Sequence, residues 1–275
     1  MKIVNESYCY DILAPFYDDF KLDDDYDRFF ALIAPLLSDA LLPGYKATCC
    51  DIGTGTGIMA KKLHNYGFYT TGIDISSNMI FIAQENDPEH SVSFYAADAT
   101  EEIPGERYSA ITMFDDVINC ISSISDIKLL FHNIYSSLAE GGVLVFDLVG
   151  LPAFIQYMSK VTFFEKGNVY RLTWPGHSKS KNYTTNYIMH YVIVKDNGDE
   201  CRSLTGSISE HYYDPIFIEV AANEAGFKLI GRFSLTPDTL IPIGDPDACG
   251  VYKIVYKFMK GGTTDGLHQG DREAG

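Results

Sequence analysis

A glycine-rich turn between a short apolar strand and a helix is the feature that most limits how this chain can fold. The segment CCDIGTGTG covers residues 49 to 57, and its three glycines stand at alternate positions. The pattern predicts a strand over 48 to 52 and a helix over IMAKKLHNY, which begins at Ile58. Glycine permits positive φ and lets a ligand approach the backbone, while the helix offers free N–H groups. The turn therefore predicts an α/β fold with a cofactor bound at the start of this helix.

Two common nucleotide-binding patterns do not fit this turn. A phosphate-binding loop needs GxxxxGK followed by Ser or Thr, whereas Gly57 is followed by Ile58, Met59 and Ala60. A dinucleotide-binding turn needs a small residue at the place of Ile58, so that its helix can pack close to the pyrophosphate. Asp51 stands two residues before the first glycine, and a carboxylate there suits a cofactor with an ammonium or a hydroxyl group.

Apolar runs and helical periods alternate through the first half of the chain. Strands that are apolar on both faces belong in a parallel sheet covered by helices. After Gly150 the pattern changes to period-two segments rich in Tyr, Thr and Val. Strand patterns return in FKLIGRFSL and VYKIVYKFM. The predicted strands before Gly150 lie at 48 to 52, 69 to 75, 92 to 98, 108 to 114 and 142 to 149, with a helix over about 124 to 138.

These patterns divide the chain into a core and three additions. The core comprises residues 46 to 150 and 214 to 260. A helical cap precedes it over 1 to 45, with apolar residues at three- and four-residue spacing. An antiparallel β insertion interrupts it over 151 to 213, and we expect this insertion to cover the substrate. A tail over 261 to 275 is predicted to be flexible.

Two further acids follow the second and third predicted strands. Asp74 stands where a carboxylate can accept both hydroxyls of a ribose, and Asp98 stands where an acid can accept an adenine amino group. With Asp51, they come from the carboxyl ends of adjacent strands, where open α/β sheets bind ligands. The three acids outline a nucleoside with an amino-acid tail, which is the shape of S-adenosylmethionine.

The motifs CCDIGTGTG, GIDIS, AADAT and YSAITMF followed by DDVINCI resemble those of class I S-adenosylmethionine-dependent methyltransferases. The resemblance covers residues 48 to 149, and the last two predicted strands are similar to the closing hairpin of that family. It implies a Rossmann-like α/β fold with a seven-stranded, mostly parallel sheet whose last strand runs antiparallel. It also implies S-adenosylmethionine as cofactor and S-adenosylhomocysteine as product. The cofactor-binding residues that it implies are Tyr17, Asp51, Gly53, Thr54, Gly55, Gly57, Asp74, Ile75, Met79, Asp98, Ala99 and Phe114.

The segment LAPFYDDF and the strand-rich insertion resemble small-molecule N-methyltransferases, among them sugar-amine dimethyltransferases and glycine N-methyltransferase-like enzymes. By that resemblance Tyr17 lies over the methionine end of the cofactor. Packing of a helix would equally explain a tyrosine at this position. The implied reaction moves a methyl group in line to a nitrogen or oxygen of a small molecule and needs no covalent enzyme intermediate. Its rate depends mainly on orientation and desolvation of the reactants.

Candidate substrate residues follow the fourth strand. Asp115, Asp116 and Asn119 would face the substrate in this fold, and a pair of acids could hold an amine and later take its proton. Capping of a helix by one of the acids is the alternative role. The substrate-binding set is Asp115, Asp116, Asn119, Arg171, Trp174, His211 and Tyr213.

The insertion supplies one candidate for catalysis. His211 comes just before the chain returns to the core, although a histidine in a β insertion is more often structural. Neighbours on a strand, such as Glu210 and His211, point to opposite faces, so only one of them can face the site. We favour His211 at this stage, and we expect Asp116, His211 and Tyr17 to be the catalytic residues.

Composition limits the partners. The chain has 21 Lys and Arg against 37 Asp and Glu, a formal net charge of −16. Such a surface repels phosphate backbones and anionic lipids, so we expect a small-molecule substrate rather than nucleic acid or a membrane. With no leader pattern and no apolar run near the ~20 residues of a membrane helix, we expect a cytoplasmic protein, a monomer or a homodimer. The six cysteines lack metal-ligand spacing, so no metal site is predicted.

Two other functions stay open from the sequence. An NAD-dependent oxidoreductase would use Asp74 equally well for its ribose, although Ile58 and Asp51 count against it. A module that binds S-adenosylmethionine without catalysis would share the same motifs.

Overall fold

The computed structural model describes most of the chain. It covers residues 6–21, 24–41, 44, 46–105, 107–156, 161–166, 170–179, 184–194, 201–246 and 250–261. For residues 6–9, 19–20, 161–166, 170–179, 184–194 and 201–208 it describes the backbone alone. The predicted flexible tail lies outside the described residues, apart from Gly261.

Helices precede the first strand. Asp25 caps the second helix, because its carboxylate accepts a hydrogen bond from the Arg28 N–H at 2.9 Å. Ile33 and Leu37 are fully buried against one face of the central sheet. The elements are α1 (Glu6–Phe20), α2 (Tyr26–Ile33) and a 3₁₀-helix (Ala34–Ala40).

The remaining elements form two sheets with helices around the larger one. The larger sheet contains β1 (Thr48–Ile52), β2 (Tyr69–Asp74), β3 (Ser93–Ala96), β4 (Tyr108–Met113), β5 (Leu138–Val149), β10 (Phe227–Leu235), β11 (Leu240–Pro242) and β12 (Lys253–Lys260). The smaller sheet contains β6 (Val161–Lys166), β7 (Tyr170–Lys179), β8 (Thr184–Val194) and β9 (Cys201–His211). The helices are α3 (Ile58–Tyr66), α4 (Ser77–Glu85), α5 (Ile124–Ser137), α6 (Leu151–Gln156) and α7 (Pro215–Glu224), with a short 3₁₀-helix at Ile118–Cys120.

The larger sheet confirms the predicted fold class. Its strand order is β11-β10-β12-β5-β4-β1-β2-β3. Strands β1 to β5 pair in parallel, whereas β12 runs antiparallel to both β5 and β10. The described sheet has eight strands rather than seven, because the three-residue β11 pairs with the end of β10. A segment as short as LIP shows no period from which a strand could be predicted.

The insertion forms the smaller sheet, as predicted. Its four strands are antiparallel and lie in sequence order. Helix α1 packs against β9, the strand that leads back to the core. The insertion and the N-terminal helices therefore meet on the same side of the molecule.

The two faces of the larger sheet each cover a separate apolar core. Adjacent residues of β1 contribute to opposite faces: Cys49 packs with Leu37 and Leu63, and Cys50 packs with Leu130 and Phe131. This arrangement explains why β1 reads as a continuous apolar run in the sequence. The cysteines of β1 are buried thiols of the core.

The start of β5 differs from the prediction. The predicted strand begins at residue 142, but β5 already begins at Leu138. Gly141 has a φ of 74°, and the register between β4 and β5 shifts between Tyr108 and Ala110. The glycines thus accommodate an irregularity within the paired region.

Within the described part of the chain, no helix has the length and apolar character needed to cross a membrane.

Candidate active site

The glycine turn forms the floor of a cavity at the carboxyl ends of the parallel strands. All three glycines have positive φ, 68° at Gly53, 55° at Gly55 and 85° at Gly57, a conformation that other residues adopt only with strain. A Cβ atom at Gly53 would clash with Val117. At Gly55 the nearest heavy atom to such a Cβ would be Tyr17 Cε1, at 3.8 Å. The backbone is therefore most open to a ligand at Gly55.

Asp51 holds the turn in place. Its carboxylate accepts hydrogen bonds from the hydroxyls of Thr54 at 2.8 Å and Thr112 at 2.7 Å, and the residue is only 2% exposed. Burial raises the pKa of Asp51 to about 6, against the lowering effect of the two hydroxyls. The sequence suggested direct contact with a cofactor, whereas both carboxylate oxygens are already engaged by threonines.

Asp74 connects the second strand to the turn. Its two oxygens accept N–H hydrogen bonds from Gly55 and Ser76, each at 2.9 Å. Burial raises the pKa of this carboxyl to about 6, partly offset by the two backbone donors. The carboxylate also lines the cavity, as expected of a residue that binds ribose.

The cavity has a volume of about 340 Å³, within the range of small-molecule sites. Its apolar lining includes Ile75, whose side chain is half exposed, together with Met79 and Leu130. Asp98 also lines the cavity, and its Oδ1 accepts hydrogen bonds from the N–H and the hydroxyl of Thr100, at 2.9 and 2.7 Å. The cavity thus offers a ligand both apolar walls and a carboxylate.

Most of the predicted cofactor residues lie around this cavity or beside it. A smaller cavity of about 30 Å³ lies on the other side of Tyr17 and shares part of the same wall. The predicted residues that line the larger cavity are Tyr17, Gly53, Gly55, Asp74, Ile75, Met79, Asp98 and Ala99. Those that line the smaller one are Tyr17, Asp51, Gly53, Thr54, Gly55 and Phe114.

Helix α1 covers the cavity and is attached at two points. Asp11 accepts hydrogen bonds from the Ser76 hydroxyl at 2.6 Å and the Asn78 N–H at 3.1 Å, at the start of α4. Two turns later, Asp18 accepts hydrogen bonds from Thr56 in the glycine turn at 2.5 Å and from Asn86 at 3.0 Å. The side chains of Tyr10 and Tyr17, on the same helix, line the larger cavity.

Tyr17 lies between the cofactor side of the cavity and a group of acids. Burial raises the pKa of its phenol far above the usual range, so it remains a neutral hydroxyl. Lys21 opposes this shift, while Asp115 and Asp74 add to it. The ring borders both cavities.

Asp115 and Asp116 follow β4 in an unusual backbone conformation. Their φ angles are 63° and 67°, so two consecutive residues other than glycine are left-handed. The carboxylate of Asp147, at the end of β5, accepts their two N–H groups at 3.2 and 3.0 Å. Burial raises the pKa of Asp147 to about 6. The 3₁₀-helix that follows begins after Val117 without a side-chain cap, so neither acid has the capping role that was the alternative.

Two lysines balance part of this negative charge. Lys253 of β12 lies 2.7 Å from Asp116 and 3.1 Å from Asp147. Lys21 lies 3.5 Å from Asp115, which also accepts a hydrogen bond from the Tyr26 hydroxyl at 2.5 Å. Burial alone would raise the pKa of Asp115, but the lysines and this hydroxyl lower it below its usual range.

Glu210 of β9 adds a further carboxyl to this group. It is 8% exposed, and its Oε2 has no hydrogen-bond partner among the described residues. Burial raises its pKa to about 8, and the negative Asp116 adds to the shift. We name these six charged groups the acidic cluster: Asp115, Asp116, Asp147, Glu210, Lys21 and Lys253.

The geometry is that of a nucleoside-binding cavity with a charged compartment beside it, and the comparisons with known proteins agree. A sequence profile described as a methyltransferase domain matches residues 25–230. The chain belongs to the methyltransferase domain family.

This methyltransferase has relatives of similar length. One is a protein of Geobacillus sp. (strain WCH70), provisionally named a methyltransferase, with 26% identity over 191 residues, 69% of this chain and 77% of the relative. An S-adenosylmethionine-dependent methyltransferase from Clostridium acetobutylicum ATCC 824 superposes with a TM-score of 0.76 at 19% identity, over 92% of this chain and all (100%) of the other. An amino pentose methyltransferase from Micromonospora echinaspora, solved with S-adenosylmethionine bound, gives a TM-score of 0.65 at 15% identity, over 94% and 99% of the chains.

Family and fold together confirm an S-adenosylmethionine-dependent methyltransferase of class I. The NAD-dependent oxidoreductase and the non-catalytic module are set aside. The residues present fit a cofactor of this kind, because a buried carboxylate (Asp74), an apolar side chain (Ile75), a second acid (Asp98) and an open glycine backbone (Gly55) line one cavity.

Several predicted residues line neither cavity in the methyltransferase, and Asp116 is one of them. Asn119 is fully buried, and its amide joins two strands by donating to the His211 carbonyl at 2.9 Å and accepting from the Val149 N–H at 3.0 Å. Tyr213 is buried against the core and donates its hydroxyl to the Ile121 carbonyl at 2.5 Å. Both residues are structural, in place of the substrate contacts that we expected. Gly57 caps α3 and lines neither cavity.

The catalytic role of His211, on β9, stays a prediction. Glu210, not His211, belongs to the acidic cluster, and the ring of His211 packs 6.3 Å from that of Tyr213. Burial lowers the pKa of His211. Alternation along a strand separates the two side chains, but it does not say which face meets the site. For Arg171 and Trp174 only the strand β7 is described, and their side chains lie outside the described part.

Tyr26 is a site residue that sequence reasoning missed. It begins α2 and binds Asp115, which lies 89 positions further along the chain. No local pattern connects residues so far apart. Its position at the start of a predicted helical segment is the one sequence feature that could have indicated Tyr26 as a site residue.

Proposed function

We propose that this methyltransferase transfers a methyl group to the amine nitrogen of a small molecule. The observation that supports this acceptor is the acidic cluster, in which four carboxyl groups face two lysines beside the cofactor cavity. A compartment with more acids than bases attracts an ammonium group. It disfavours an acceptor that must become an alkoxide, a phenolate or a carboxylate, because the new negative charge would lie near Asp115 and Asp116.

The residues of the site have separate tasks in this reaction. S-adenosylmethionine, when bound, would supply an electrophilic methyl carbon, and the C–S bonding electrons would return to sulfur as nitrogen bonds to that carbon. Asp74 and the glycine turn orient that cofactor. Tyr17 stands between the cofactor and the acids, where its neutral hydroxyl and ring can fix the reacting groups. Helix α1 excludes water from above.

The size of the cavity favours a small acceptor. Much of its volume, about 340 Å³, is needed for the nucleoside, which leaves the part next to Tyr10, Asp115 and Cys120 for the acceptor. The net charge of −16 disfavours a nucleic-acid substrate. An amine on a sugar or on a short polar chain fits both constraints.

The experiment measures S-adenosylhomocysteine formed from S-adenosylmethionine with panels of amines, alcohols and carboxylic acids. We expect turnover with amines alone. Turnover with alcohols or carboxylic acids but no amine would overturn the proposed acceptor while leaving the methyltransferase assignment intact.

Asp74→Ala serves as the cofactor-site variant in the same experiment. The substitution removes the carboxylate that accepts two N–H groups and that would contact the ribose. We therefore expect S-adenosylhomocysteine to bind at least about tenfold more weakly in titration calorimetry. Glu140→Gln removes a carboxylate that is exposed at the opposite end of β5 and should bind the product normally.

A further inference from the structure

The two carboxylate oxygens of Asp115 differ in their contacts. Oδ2 accepts a hydrogen bond from the Tyr26 hydroxyl at 2.5 Å and lies 3.5 Å from the Nζ atom of Lys21. Oδ1 has no hydrogen bond or ion pair to any residue that the structure describes. The residue lines both cavities, and its side chain is 30% exposed. A ligand in these cavities therefore meets a carboxylate that has one unused oxygen.

Tyr26 is the closer of the two groups that hold this carboxylate. Lys21 is shared, because its Nζ atom lies 2.7 Å from Asp24 and 3.5 Å from Asp115. Burial raises the pKa of the Tyr26 phenol far above its usual range, so the phenol keeps its proton and donates it to Asp115 in a hydrogen bond. Tyr26 lines the smaller cavity but not the larger one, so it can hold Asp115 without contacting a ligand in the larger cavity.

The helix that carries Tyr26 is fixed to the sheet next to Asp115. Phe29, about one turn further along α2, packs edge-on against Phe114, with ring centroids 5.2 Å apart. Phe114 directly precedes Asp115 in the chain. The Asp115 N–H donates to the carboxylate of Asp147 at 3.2 Å. The backbone and the side chain of Asp115 are thus held by different elements of the structure.

We propose that Tyr26 is a positioning residue for methyl transfer, which holds Asp115 so that its Oδ1 atom contacts the amine that attacks the methyl carbon. The proposal rests on the proposed function, since it applies to an amine acceptor. In the step, Oδ1 accepts one N–H of the neutral amine. The nitrogen lone pair forms the new N–C bond as the C–S bond breaks and its electrons stay on sulfur. The N–H bond stays intact and the methylated product leaves as an ammonium, so the protein takes up no proton.

The charge of Asp115 explains how this contact would accelerate the reaction. Positive charge passes from sulfur to nitrogen during the transfer, so a carboxylate oriented at the nitrogen stabilises the transition state more than the neutral amine. Burial alone would raise the pKa of Asp115, but Lys21, Lys253 and the Tyr26 hydroxyl lower it below its usual range, which keeps the group ionised. Asp116 is less suited to this task, because it lines neither cavity and lies 2.7 Å from Lys253.

A double-mutant cycle between Tyr26 and Asp115 tests the proposal, using the amine of the panel that is methylated fastest. Asp115→Asn removes the charge, and Asn tolerates the left-handed φ of 63°. We expect this variant to lower kcat about 100-fold. Tyr26→Phe lacks only the hydroxyl and should lower kcat about tenfold, with the KM for S-adenosylmethionine unchanged. The double variant should lose about 100-fold, no more than Asp115→Asn alone, because Tyr26 acts through Asp115.

Tyr108→Phe is the matched control for the loss of a tyrosine hydroxyl. The Tyr108 hydroxyl also donates within the protein, to the Pro104 carbonyl. Tyr108 begins β4 at the end away from the site and lines neither cavity. The control variant should therefore keep the kcat and KM of the wild type. A loss of kcat similar to that in Tyr26→Phe would contradict a specific role for Tyr26.

Each outcome decides the proposal. Unchanged kcat in either single variant, or losses that multiply to about 1000-fold in the double variant, would overturn it, while amine turnover by the wild type still supports the proposed function. Absence of amine turnover by the wild type would overturn both. Circular dichroism and S-adenosylhomocysteine affinity establish that the variants are folded. If Asp115→Asn is not folded, Asp115→Gly, which suits the same φ, replaces it in the cycle with the same expected results.

Discussion

Asp115 and Asp116 occupy left-handed positions that cost about 1 kcal/mol or more each for residues other than glycine. The carboxylate of Asp147 compensates by accepting both N–H groups, and Lys253 neutralises it from β12. The position of Asp115, which lines both cavities, thus depends on a residue that lines neither of them. Asp147 is a positioning residue.

Replacement of Asp147 tests this dependence. Asp147→Ala removes the acceptor of two partly buried N–H groups and one partner of a partly buried lysine. The free energy of unfolding should fall by about 3 kcal/mol or more in urea denaturation. Glu224→Ala breaks an ion pair with Lys128 in which both side chains are about half exposed, and should cost at most about 1 kcal/mol. Similar losses in the two variants would contradict a structural role for Asp147 beyond an ordinary ion pair.

At the scale of elements, α1 joins the parts of the site that bind the nucleoside and the parts that hold the acids. Its polar contacts reach α4 through Asp11 and the glycine turn through Asp18, while its last turn leads to Lys21. Because the helix covers the cavity, a ligand can leave only if these contacts open or if it passes beside them.

The double variant Asp11→Ala/Asp18→Ala should therefore release the product faster. Loss of hydrogen bonds at both ends, at about 1 kcal/mol each and so about 2 kcal/mol together, predicts a dissociation rate of S-adenosylhomocysteine raised about 30-fold. A stopped-flow chase measures it. Asp25→Ala removes the cap of α2 and should lower stability by about 1 kcal/mol without changing the dissociation rate. An unchanged rate in the double variant would mean that α1 does not limit release.

The sequence predicts elements well where one period extends over several residues, and it predicts contacts poorly where they depend on packing. Strands β1 and β4 were predictable because their residues are apolar on both faces. Glycines at positive φ and acids at strand ends located the cofactor site. The pairing of Tyr26 with Asp115 and the buried position of Asn119 arise from long-range packing, which leaves no local pattern. For β9 the alternation was evident, but the choice of face required the position of α1.

At the scale of the whole molecule, the protein has more acidic than basic residues, and several of the acidic residues are buried. Burial raises the pKa of Asp51, Asp74 and Asp147 to about 6 and that of Glu210 to about 8. The formal net charge of −16 adds repulsion that grows as these groups ionise. Keeping these acids buried thus lowers the stability of the folded protein when they ionise.

This cost should appear as a dependence of stability on pH. In the unfolded chain these carboxyls ionise near pH 4, whereas in the folded protein they keep their protons up to about pH 6 to 8. Between these values the folded state binds more protons, so its stability is complete at the acid end and is lost as pH rises through the folded pKa values. Urea denaturation at constant ionic strength should give a larger free energy of unfolding near pH 6 than near pH 8.5.

In Glu210→Gln the difference in free energy of unfolding between these two pH values should be smaller, because the group responsible for the loss of stability between about pH 6 and 8 is absent. Greater stability at pH 8.5 would contradict burial of these acids in the folded protein, and an unchanged difference in Glu210→Gln would exclude Glu210 as a source of it.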